Sequence, residues 1–219
     1  MSGRRVLLRA MLAMGMWLAS SAGQAAHGLK AQSVTSSAKA PVRIVFVARV
    51  QNVYDPGESL HEAIQVGDLM RGTMTYDPTT RGSTPRPGVG RYEFRQTPFG
   101  ILIEAGQYVF QTDPAHVDVS IELSNDEGTP PRDGFLLTSR NNLPLNNGAA
   151  VSRISWQLVD DTSQALDSTR LSGAAPDLDK WRSEFGLTLE GQATVEFIIR
   201  AHVIEAALCT PEIRCPSPR

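Results

Sequence analysis

The chain has 219 residues, of which 41% are hydrophobic and 20% charged, with a net charge of −2 and two cysteines. A chain of this length can bury on the order of 70% of its unfolded surface in one core without staples, so a single domain is the default. The slightly acidic balance excludes binding driven by phosphate neutralisation, which needs a basic surface to displace counterions, and no nucleic-acid partner is expected.

Residues 1–25 form three zones: a basic start with Arg4, Arg5 and Arg9, an apolar run from Ala10 to Ala19, and small residues ending at Ala25. This is the layout of a cleavable export signal. Its apolar core is about half the roughly 20 residues that a spanning helix needs. The expectation is cleavage after Ala25, a secreted or periplasmic protein, and no transmembrane anchor in the mature chain. Cleavage removes three arginines and no acid, so the net charge of −2 becomes −5. Residues 26–40 have little apolar content and no period, and read as a flexible leader.

Pro41 ends the leader, and Val42 to Val53 is rich in β-branched residues, as a long strand requires. It stops at Tyr54-Asp55-Pro56-Gly57, a turn signal. A second strand is expected from about Val66 to Tyr76, with bends or bulges at Gly67 and Gly72, closed by Asp77-Pro78. Residues 79–91, with three glycines and two prolines, read as an exposed loop. Phe99 to Glu104 and Gln107 to Thr112 flank Ala105-Gly106 as a hairpin. Val117, Val119, Ile121 and Leu123 then alternate with Asp118, Ser120 and Glu122, the period of a strand with one apolar and one wet face.

Asn125 to Gly134 is turn-rich and leads into a short strand at Phe135 to Ser139, followed by a loop from Asn141 to Gly148. Ile154, Trp156 and Leu158 alternate again before a polar stretch from Asp160 to Ala175. Pro176 to Trp181 offers one or two helical turns. Phe185, Leu187 and Leu189, then Val195, Phe197, Ile199, Ala201 and Val203, form a closing hairpin about Glu190-Gly191.

About nine strands separated by short turns leave no room for the crossover helices of a parallel sheet. The expected class is all-β: an antiparallel, jelly-roll-like β-sandwich over residues 41–208, with one short helix near 177–183. Closure into a barrel satisfies the same pattern. In the tail, residues 209–219, Cys209 and Cys215 are separated by five residues. Outside the cytoplasm such an isolated pair is expected to form a disulfide, constraining the unfolded chain by roughly 2 kcal/mol. The spacing is not that of a redox Cys-x-x-Cys pair, and no second ligand pair accompanies it.

Catalytic patterns are scarce. His27, His61, His116 and His202 form no His-x-His or His-Glu-x-x-His pair. There is no Gly-x-Ser-x-Gly, and Gly82 to Gly90 does not open a helix as a phosphate loop would. Glu93, Glu104, Asp118 and Glu122 could face a groove as paired acids, although solvated strand faces carry such residues routinely. Asn125, Asp126, Glu127 and Asp133 concentrate oxygen ligands suited to calcium. The same residue types are selected by turns, and the spacing is not that of an EF-hand. No catalytic, cofactor or metal residue is assigned. Trp156 is expected in the core and Trp181 at one end of the sandwich, leaving Tyr54, Tyr76 and Tyr92 as aromatic candidates for a ligand face.

Val66-Gly67-Asp68-Leu69-Met70-Arg71-Gly72-Thr73-Met74-Thr75-Tyr76-Asp77, then Gly88-Val89-Gly90-Arg91-Tyr92 and Asn125-Asp126, resemble a family of exported bacterial β-sandwich proteins of unknown function. Many of its members carry a PEP-CTERM sorting tail. The resemblance spans roughly residues 42–206 and implies the fold and export, but no catalytic residue. The end of this chain, Cys-Thr-Pro-Glu-Ile-Arg-Cys-Pro-Ser-Pro-Arg, differs from that tail. The functional expectation is a non-catalytic protein with a binding or structural role at the envelope or outside the cell, its partners extracellular polysaccharide or envelope components. The alternative is a hydrolase acting on polysaccharide through paired carboxylates.

Overall fold

The computed structural model describes residues 41–181, 186–192 and 197–210. The signal and leader segments, Phe185, Val195 and Cys215 lie outside the described residues. The described chain is all-β, with eleven strands in one antiparallel sheet curled into a half-barrel. In chain order they are β1 (Val42–Tyr54), β2 (Leu69–Tyr76), β3 (Ser83–Arg86), β4 (Val89–Phe94), β5 (Gly100–Ala105), β6 (Tyr108–Gln111), β7 (Val119–Glu127), β8 (Arg132–Ser139), β9 (Val151–Asp160), β10 (Leu187–Gly191) and β11 (Ile198–Leu208). Their order across the sheet is β3-β4-β7-β8-β9-β10-β11-β1-β2-β5-β6.

The sheet doubles over so that its two halves face each other, giving a sandwich arrangement from a single continuous ladder. Phe46 on β1 meets Trp156 on β9 with ring centroids 4.9 Å apart, although two strands lie between them in the sheet. Tyr76 on β2 meets Phe94 on β4 at 6.5 Å in the same way. The ladder is irregular at three places, where Gln51 on β1, Ile204 on β11 and Ser152 on β9 stand as extra residues in the register. Each bulge adds a residue on one side of the ladder, which bends the strand and increases its twist. Beyond β6, Thr112 bridges to Asn142, and the Thr112 and Ser139 hydroxyls lie 2.9 Å apart, tying that end of the sheet to β8.

The period-two pattern decides which side is dry. Ile44, Phe46, Ala48 and Val50 of β1, Ile121 and Leu123 of β7, Ile154, Trp156 and Leu158 of β9, and Leu187 and Leu189 of β10 are all buried in one core. The Phe46 ring lies across Gly72, its partner on β2. A Cβ there would meet Phe46 Cζ at 2.1 Å, so Gly72 admits the ring rather than marking a bulge. Two core residues, Leu60 and Ile64, come from the segment after β1, where the Asp55 carboxylate accepts the Ser59 and Leu60 amides at 2.9 and 2.7 Å.

Two expectations change. Residues 79–91, read as an exposed loop, contain β3 and the start of β4, which raises the strand number from nine to eleven. Pro85 and Pro87 obscured the hairpin. Proline cannot donate to a ladder, yet it is tolerated in β3 because that strand lies at the sheet's edge, with four exposed residues. Of the helix expected near 177–183, the described residues show one 3-10 turn at Leu178–Lys180 with no side-chain cap; Leu178 and Trp181 pack on the core and set its position.

Candidate functional site

The acids singled out from sequence lie on the outer face of the sheet, each beside an arginine. Glu93 and Asp118 share Arg95, Glu122 lies 3.1 Å from Arg91, and Glu104 sits opposite Arg71 in the β2–β5 ladder. Cross-strand pairing of opposite charges stabilises a wet sheet face, and alternation puts these residues there. A glycosidic acid instead needs a carboxyl raised above its ordinary range. Among the described residues every resolved carboxyl shift is downward: Asp77 by the Thr79 hydroxyl, Asp113 by His116, and Glu127 by Arg86, with Asp160 treated below.

The oxygen-rich segment is used internally. Glu127 pairs with Arg86, the Asn125 amide donates to Asp126 at 3.1 Å, and Asp133 accepts the amides of Asp126 and Leu166 at 3.0 and 2.8 Å. Among the described residues no group of three or more His, Cys, Asp or Glu side chains is placed to hold a metal ion. Asp133 lies opposite Asp160 across β8 and β9, and both are buried. One Asp160 oxygen accepts the amide and hydroxyl of Thr162 at 2.8 and 2.7 Å. The other accepts the amides of Gln164 and Ala165 at 2.7 and 3.0 Å. Burial pushes the Asp160 carboxyl up, but these donors together outweigh it and hold it below the usual range. The two acids thus anchor the polar stretch from 160 onward.

That stretch explains two of the three tyrosines. Tyr76 and Tyr92 are buried, and their hydroxyls donate to the carbonyls of Ser172 and Thr169 at 2.7 and 2.6 Å. Burial pushes the Tyr76 hydroxyl up to about 12. Neither faces a ligand; Tyr54 alone of the three is exposed. Trp156 is fully buried as expected, and Trp181 packs partly buried against the core. His116 is held by Asp113 at 2.9 Å in a turn, and His202 lies on β11 opposite Arg49.

An open groove of about 1040 Å³ lies on the outer face of β8 to β11. Its floor is a row read straight across the ladders: Thr138 on β8, Ser155 on β9 and Thr188 on β10, followed by Arg200 on β11. Adjacent strands stand about 4.8 Å apart, so the hydroxyls recur at that interval. Gln51, the extra residue at the β1 bulge, and Gln157 also line the groove. Arg153 is neutralised by Glu190, and Asp161 by Arg132 at 3.0 Å, whereas Arg200 makes no ion pair among the described residues. Thr138 is 6% exposed, yet its hydroxyl has no hydrogen-bond partner among the described residues. The sequence reading identified none of these residues. The available signal was the choice of small hydroxyls at the wet positions of alternating strands.

No helix among the described residues is long and apolar enough to cross a membrane. Cys209 continues the β11 ladder, its amide donating to the Arg43 carbonyl at 2.8 Å, while its expected partner Cys215 lies outside the described residues. Comparison with family models, with curated proteins and with solved structures gave no match.

Proposed function

We propose that this chain is an exported, non-catalytic β-sandwich protein that binds a polar ligand outside the cytoplasm through the outer groove of β8 to β11. The observation that carries the reading is the floor of that groove. Three hydroxyls and one guanidinium stand there without partners among the described residues, on a face where the acids considered for catalysis sit beside arginines. Binding sites place a few convergent polar groups on a rigid scaffold, and strands hold such groups more firmly than loops do. Export is supported by the basic, apolar and small-residue zones of residues 1–25. The resemblance to exported bacterial β-sandwich proteins points the same way.

The test is expression of the whole chain in a Gram-negative host, followed by fractionation and N-terminal sequencing. The reading expects a periplasmic or released product beginning at Ala26, with Cys209 and Cys215 unreactive to thiol reagents until reduced. A cytoplasmic product retaining residues 1–25 contradicts export. Release of reducing ends from a polysaccharide panel by the purified product, lost on Glu93→Gln or Asp118→Asn, would replace binding with hydrolysis.

A further inference from the structure

Resting on the groove reading above, we propose that the ligand is a carboxylate-bearing polysaccharide, laid across the strands so that its hydroxyls meet Thr138, Ser155 and Thr188 and a carboxylate meets Arg200. Two independent observations support it. Thr138 lies at the floor of the groove with 6% of its surface exposed, and its hydroxyl has no partner among the described residues, so water or a ligand in the groove supplies its hydrogen bond. The second is charge: of the ionic side chains that line the groove among the described residues, Arg153, Glu190 and Asp161 are paired, and Arg200 is the guanidinium left for a ligand. A planar guanidinium fork matches a carboxylate bidentately.

The remaining lining selects among anionic ligands. Gln51 and Gln157 supply amides that can both donate and accept, which suits sugar hydroxyls. Among the described residues no aromatic ring lines the groove, and those residues offer hydrogen bonds and one ionic contact instead of stacking. A nucleic acid needs several cations along its backbone, and the described residues of the groove offer one unpaired arginine. The hydroxyl row advances by one strand spacing per residue. An extended glycan advances by a similar distance per sugar, so successive rings can meet successive strands.

Calorimetric titration of the purified protein with an oligogalacturonate, and with a neutral galacto-oligosaccharide of equal length, tests the proposal. The expected result is binding of the acidic oligomer, weakened about tenfold by Thr138→Val, with preference over the neutral oligomer abolished by Arg200→Gln. A lost hydrogen bond in a built site has an effect of that order. Ser155→Ala carries the same test if Thr138→Val fails to fold. Equal affinity for the neutral oligomer, still sensitive to Thr138→Val, overturns the acidic ligand and leaves the groove reading standing. Binding indifferent to all three variants overturns the groove. No heat from either oligomer at millimolar concentration overturns both.

Discussion

Asp160 is buried and accepts four hydrogen bonds from the segment that follows it. Asp160→Asn keeps one acceptor but turns an NH2 group toward amides that already donate, leaving the Gln164 and Ala165 N–H groups without a partner. The expected loss of stability is about 2 kcal/mol at neutral pH, read from the urea midpoint. Its pH dependence has a definite sign. Because the folded carboxyl lies below the ordinary 3.8, its contribution is complete above that value and disappears as pH falls through the lower folded pKa. The gap between wild type and variant should therefore begin to close as pH falls below 3.8 and go on closing through the lower folded pKa; a gap that stays constant contradicts the anchoring role. None of this was legible in the sequence, where Asp133 and Asp160 look like loop acids. Their burial depends on β8 and β9 being neighbours in register, which single-chain periodicity does not reveal.

At the level of elements, alternation located nine strands because each has its own apolar face, and it missed β3 and β4 because glycine and proline dilute theirs. In β4, Tyr92 and Phe94 alternate with Arg91 and Glu93 correctly, but the ladder that makes it a strand comes from β7. The pairing of Phe46 with Gly72 shows a different limit. A glycine in a strand suggested a bend, whereas its function is to leave room for a ring. Gly72→Ala should cost about 2 kcal/mol through overpacking. That corresponds to a melting temperature lower by about 4–8 °C, and an unchanged melting curve would show that the ring can move aside cheaply. At the sheet's edge, Pro85 withholds an N–H from any added strand. Pro85→Val should shorten the lag before thioflavin-positive aggregation on agitation, and an equal lag would mean that the edge is protected otherwise.

For the whole molecule, composition and spacing were sufficient for the all-β class, because that property is a sum over residues. The groove was not legible, because it arises where the sheet doubles over. Only the pairing register of four successive strands, β8 to β11, puts Thr138, Ser155, Thr188 and Arg200 into one row, and periodicity within each strand does not reveal that register. Tyr76 and Tyr92, expected on a ligand face, hold the 160–177 segment over the core instead. Function in this account therefore belongs to the outer surface of the sheet, and the interior is packing. The most direct measurement is an amide-resolved NMR titration of the purified protein with oligogalacturonate. The account predicts shifts confined to β8, β9, β10 and the start of β11, centred on Thr138, Ser155, Thr188 and Arg200. Shifts centred on Tyr54, or on residues 125–133, would contradict it.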